Sequence, residues 1–106
     1  MLAAETPKNH LASHGGPFWS VILDHWNDGI VAHACLHYDG RVFRFIGHGS
    51  SQSDALNNLA CFLVGFRQGV VAANFGLPSA KASRCDDLAE RAYGLWNIII
   101  DLRDDI

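Results

Sequence analysis

The sequence predicts an α+β domain in which a three-stranded antiparallel meander is followed by two α-helices packed on the sheet. Three observations carry that expectation. Runs rich in aromatic and β-branched residues, 18–26, 30–38 and 41–48, are separated by Asn27-Asp28-Gly29 and by Asp39-Gly40. Apolar residues then recur twice at helical spacing, from Ala55 to Phe66 and from Leu88 to Leu102. A chain of 106 residues, 49% hydrophobic and 18% charged, has enough material for one core and no room for a second domain.

Residues 1–16 are polar, carry Pro7 and end in Gly15-Gly16, so they read as a flexible N-terminal tail with one weak turn at Lys8 to Ser13. Residues 17–106 form the single α+β domain. Asp39-Gly40 between two apolar runs is a strong hairpin signal, because a two-residue type I′ turn needs positive φ at both positions. That loop pairs Tyr38 with Arg41, Leu36 with Phe43 and Ala34 with Phe45. Taking Asp28-Gly29 as a second two-residue loop pairs Leu23 with Ala34, Val21 with Leu36 and Trp19 with Tyr38. The core face becomes Trp19, Val21, Leu23, Ala32, Ala34, Leu36, Phe43 and Phe45, since a slip by one residue would turn Ser20 and Asp24 inward.

Beyond the sheet, Ser51 followed by Asp54 is a capping-box variant that opens a helix. Ala55, Leu56, Leu59, Ala60, Phe62, Leu63 and Phe66 give this helix a wide apolar stripe facing the sheet, and it should end between Gly69 and Gly76. A second start signal, Ser83 with Asp86, leads into Leu88, Ala92, Leu95, Trp96, Ile99 and Leu102.

Composition excludes several function classes. Lys+Arg 8 against Asp+Glu 11 gives a net charge of −3, so no basic field exists to neutralise phosphates, and nucleic acid is disfavoured as a partner. Uninterrupted apolar runs fall short of the ~20 residues of a membrane span, and the N-terminus carries no secretory signal. Three cysteines without a C-x-x-C spacing point to a reducing, cytoplasmic compartment and to small buried hydrophobes in place of disulfides.

The stretch from Phe18 to about Phe66, with Gly47-x-Gly49-x-Ser51 ahead of Ala55 and Ala60, resembles a double-stranded-RNA-binding domain. That resemblance implies recognition of an A-form helix by shape and phosphate contacts. The positions of the family's basic cluster fall here on Gln52, Ser53 and Leu56, so an RNA-binding form would have to gather Arg41, Arg44, Arg67 and Lys81 into one patch. The same junction, Gly49 to Leu59, also resembles HicB-type antitoxins, which implies a three-strand-and-helix unit that covers a toxin.

Six histidines invite a chemical reading, because His33, Cys35 and His37 share one strand face with Asp24 opposite His33 in the expected register. A Cys-His-Asp nucleophilic set or a His/Cys metal site would use them. Strand geometry argues against both, since residues two apart stand ~6.5–7 Å from one another and four apart ~13 Å. A flat sheet face also lacks oxyanion donors. Gly47-x-Gly49 has the look of a phosphate loop but no Walker lysine, and a tight turn capped by Ser51 explains it.

The second sheet face is the informative one. Ile22, Val31, Val42 and Ile46 stand there among Asp24, Trp26, His33, Cys35, His37, Arg44 and His48, a mixture too apolar for plain solvent surface. Either the last helix folds back over it or it meets a partner. The expected function is therefore non-enzymatic binding of another protein, as a small inhibitor or antitoxin-like cap, with Asp24, Trp26, His33, Cys35, His37, Arg44, Ile46 and His48 as the contact set. Anti-CRISPR proteins are similar in size and acidity. No cofactor or metal is expected, a homodimer is an open possibility, and the alternatives are a degenerate RNA-binding module or a Cys/His-dependent enzyme or metal-binding protein.

Overall fold

Four antiparallel strands, not three, precede the two helices. The computed structural model describes residues 9–26, 29–73 and 79–106, with side chains over 11–26, 29–72 and 86–106. The elements are β1 (Asn9–Gly15), β2 (Trp19–Trp26), β3 (Gly29–Tyr38), β4 (Arg41–Gly49), α1 (Gln52–Ala73) and α2 (Ser79–Asp104), with sheet order β1-β2-β3-β4. The added strand, β1, takes seven residues of the sixteen expected to be a tail and replaces the weak turn expected there. Its residues have little β propensity, so it is held by the unpaired edge of β2, with Ala12 opposite Leu23 and His14 opposite Val21. A bulge at Leu11 interrupts the pairing between His10 and Ala12. Residues 1–8 lie outside the described residues.

The β3–β4 hairpin follows the expected register, with Tyr38 opposite Arg41, Leu36 opposite Phe43 and Ala34 opposite Phe45. Asp39 at φ 52° and Gly40 at φ 74° supply the two positive angles of a type I′ turn. The β2–β3 pairing differs from expectation by two residues: Trp26 faces Gly29, Leu23 faces Ala32, Val21 faces Ala34 and Trp19 faces Leu36. The link is thus 27–28, outside the described residues, instead of Asp28-Gly29. Gly29 belongs to the strand because a Cβ there would stand 2.5 Å from the Gly49 carbonyl oxygen. A shift of two preserves which side chains share a face, so the core face is as expected while the cross-strand partners are not.

Both helices lie on that one face. Val21, Leu23, Ala32, Ala34, Leu36 and Phe45 form a single buried cluster with Ala55, Leu56, Leu59, Ala60 and Leu63 of α1 and Ala92, Leu95 and Ile99 of α2. Each fully buried leucine or isoleucine in it contributes roughly 1.5–3 kcal/mol. The Asp54 amide donates to Ser51 Oγ at 3.1 Å, the expected cap, and Ser50 Oγ donates to Asp54 Oδ2 at 2.9 Å. α1 then presses onto β4: a Cβ on Gly47 would meet the Leu59 nitrogen at 2.5 Å. Phe66 packs against Phe43 and Phe45, with ring centroids 5.2 and 5.1 Å away.

Two expectations for the helices change. Phe62, assigned to the sheet-facing stripe, is 66% exposed, because the 3.6-residue period carries it past the edge of β4. Helix α2 already begins at Ser79, so the Ser83–Asp86 pair is not its start; the side chains of residues 79–85 lie outside the described residues. By length and composition, Gln52–Ala72 of α1 is also apolar enough to cross a membrane, with a mean hydropathy of 1.2. That is more than its broken apolar runs suggest. In this fold its Ala55-Leu59-Leu63 side is the floor of the core.

Candidate functional site

Alternation along β2, β3 and β4 sends every second side chain away from the helices. The outward set includes Ser20, Ile22, Asp24, His33, Cys35, His37, Val42, Arg44, Ile46 and His48. Since α1 and α2 share the opposite face, neither helix covers these residues. Of the two arrangements the sequence left open, the structure has both helices on one side.

The expected contact residues do come together, with a gradient of exposure across the sheet. Near β4, Val42 and Ile46 are 41% and 45% exposed, and Arg44, His37 and His48 are exposed. Toward β2 the face tightens. Asp24, directly opposite Val31, is only 8% exposed, and Trp26, Cys35 and His33 are half-buried. Asp24 was expected to face His33, but His33 faces Ile22 and reaches Asp24 diagonally, Nε2 to Oδ2, at 3.7 Å. That distance is an electrostatic contact rather than a hydrogen bond. A shallow depression of about 310 Å³ lies above Ile22, Asp24, His33, Cys35, Arg44 and Ile46.

What this arrangement can do chemically follows from spacing. Cys35 and His33 are two apart on one strand and share its outward face, with Cα atoms ~6.6 Å apart. Cys35 and Cys61 are free thiols, the first half-buried and the second exposed on α1. Among the described residues, no three His, Cys, Asp or Glu side chains gather as metal ligands. Two of the arginines proposed for RNA stand on opposite sides of the sheet. Arg44 stands on the uncovered sheet face, whereas Arg67 stacks 5.1 Å over the Tyr93 ring in the helical layer on the other side. Lys81 has a side chain outside the described residues.

Sequence reasoning missed a second surface beside this face. Helix α1 overhangs the free edge of β4, and Arg44, Phe45, Ile46, His48, Cys61, Phe62, Gly65 and Phe66 line a groove of about 840 Å³ between them. The signal was present in the width of the α1 apolar stripe, which exceeds what one sheet face can cover. A polar depression of about 620 Å³ lies at the β3–β4 turn, with Asp87 and Arg91 of α2 on its rim. Comparison with family models, curated proteins and solved structures finds no match to this chain.

Proposed function

We propose that this chain is a non-enzymatic protein-binding domain that caps a target, in the manner of a small inhibitor or antitoxin. The observation that supports the reading most is the uncovered sheet face, where Ile22, Val42 and Ile46 alternate with histidines and Arg44 while both helices pack on the other side. Antiparallel sheets commonly leave one face to water, but such a face is normally polar. A mixed apolar and titratable face, flat and without a catalytic cleft, suits a protein surface of matching shape. Asp24, Trp26, His33, Cys35, His37, Arg44, Ile46 and His48 are the proposed contact set, and a cytoplasmic setting fits the free thiols. Likeness in size and charge to anti-CRISPR proteins makes an anti-defence inhibitor one form of this reading.

The test is capture from a lysate of the source cells, with native mass measured before and after. The wild-type chain should bring down one protein at fixed stoichiometry, and the Ile22→Glu/His37→Glu variant should lose it. An unaccompanied monomer overturns the reading. An unaccompanied dimer disrupted by the same two substitutions gives the face to a second copy of the chain.

A further inference from the structure

We infer that the groove between β4 and α1 takes an extended peptide segment of a partner protein, which adds to β4 as a fifth strand. The inference rests on the protein-binding reading and gives it a mode, β-strand addition.

The main chain of β4 sets the first condition. In a two-residue hairpin the residues flanking the turn form a hydrogen-bonded pair, here Tyr38 and Arg41, and bonded and non-bonded pairs then alternate. Phe43, Phe45, Gly47 and Gly49 therefore bond to β3, while Val42, Arg44, Ile46 and His48 aim their N–H and C=O groups at the free edge. Asn58 fixes this phase independently, because its Nδ2 donates to the His48 carbonyl at 2.5 Å. With that carbonyl taken, the N–H and C=O groups of Val42, Arg44 and Ile46 form a template that no strand among the described residues pairs with. Natural edges are usually blunted by bulges, prolines or lysines. The other edge of this sheet, β1, carries such a bulge at Leu11, whereas β4 is regular over all nine of its residues and has neither proline nor lysine.

The groove sets the second condition. A strand laid along β4 would send alternate side chains toward α1, into a hollow walled by Phe62 and floored by Phe45 and Phe66. Gly65 opens that hollow further, since nothing stands within 4 Å of where its Cβ would be. The remaining side chains of the incoming strand would lie beside Arg44 and His48 on the uncovered face. The occupant is accordingly a segment with aromatic or branched apolar residues on one side and acidic residues on the other.

A second copy of β4 does not fit this edge. Paired strands are ~4.8 Å apart, but helices need 8–10 Å between axes. Each copy carries α1 directly over its own β4, as the Gly47 contact with Leu59 requires. Two copies edge to edge would force two helices into the space of one, while an extended segment without a helix of its own meets no such obstacle.

The probe is the peptide acetyl-Glu-Val-Glu-Phe-Glu-Val-Glu-amide, titrated into the full isotope-labelled chain. The amide signals of Val42, Arg44 and Ile46 should shift and their hydrogen exchange should slow at least tenfold. N-methylation of the three central peptide residues, and separately Gly65→Leu in the chain, should each weaken binding at least tenfold. The Cβ of Gly65→Leu meets nothing within 4 Å, and an unchanged thermal midpoint of the variant makes its loss of binding a report on the groove. Failure of the peptide to shift these three amides overturns the proposal, as does unchanged binding by Gly65→Leu. Dimerisation of the free chain with the three amides already protected overturns it in favour of a second copy. A lysate partner kept by Gly65→Leu but lost by Ile22→Glu/His37→Glu rejects the groove and keeps the protein-binding reading. Peptide binding without any lysate partner shows a groove that accepts a strand but overturns a partner protein as its occupant.

Discussion

Adding one methyl group at Gly47 or at Gly65 is the same chemical change with opposite expected outcomes, and the contrast tests how α1 is seated. In Gly47→Ala the new Cβ would stand 2.5 Å from the Leu59 nitrogen, about 0.9 Å inside ordinary contact, and the obstacle is helix backbone that no rotamer change can move. Strand and helix must separate across the buried row of Ala55, Leu59 and Leu63, so the expected cost is roughly 1–3 kcal/mol. In Gly65→Ala the new Cβ meets nothing within 4 Å, on the open side of a helix interior. Removing that glycine should stabilise the chain by roughly 0.5–1 kcal/mol. Urea denaturation with a shared m-value reads both, and thermal midpoints should move by about 4–8 °C per kcal/mol in opposite directions. A Gly47→Ala chain within about 0.5 kcal/mol of wild type would refute the close seating of α1 on β4, and with it the steric argument against edge-to-edge pairing of two copies.

Four further outcomes follow from other parts of the molecule. Leu63→Ala empties a fully buried site between helix and sheet and should cost roughly 2–5 kcal/mol by denaturant titration. Ser51→Ala removes the acceptor of the Asp54 amide and should cost about 1 kcal/mol, read in the same way. His37→Glu, on the uncovered face, should leave stability within about 0.5 kcal/mol of wild type; a larger loss would mean that something in the chain covers that face. Cys61 should be alkylated faster than Cys35 under native conditions, as read by peptide-resolved mass spectrometry, because the first is exposed and the second half-buried.

Much of the sheet was legible because its signals are local. Asp39-Gly40 has the positive φ angles that type I′ turns demand, so the β3–β4 register could be counted outward from it. The β2–β3 register could not, because Asp28-Gly29 is the stronger two-residue loop by composition, yet Gly29 pairs with Trp26 inside the strand. Close approach of Gly29 to Gly49, a contact between residues 20 apart in the chain, decides that placement. Strand β1 was invisible for a related reason: its sequence, NHLASHG, has no β-branched residue, and the Leu11 bulge breaks the period of two. As for the site, the outward residues of the face follow from alternation alone, but its being uncovered depends on where α2 docks. Helical periodicity shows that α2 has an apolar side without saying which layer that side meets. The groove beside β4 needed the position of α1 along the sheet, which places Phe62 beyond the edge instead of beneath it.

The bulge at Leu11 has a consequence for growth. A sheet with two clean edges is a monomer in the polymer chemist's sense, since the last strand of one molecule can dock on the first strand of the next and the contact repeats without closing. Here one end is interrupted at Leu11 and the other is regular. Head-to-tail addition of copies therefore lacks one of its two clean ends. A copy paired through its β4 would offer the next copy only the interrupted edge of β1, so one regular edge is carried in a fold that opposes head-to-tail fibre formation.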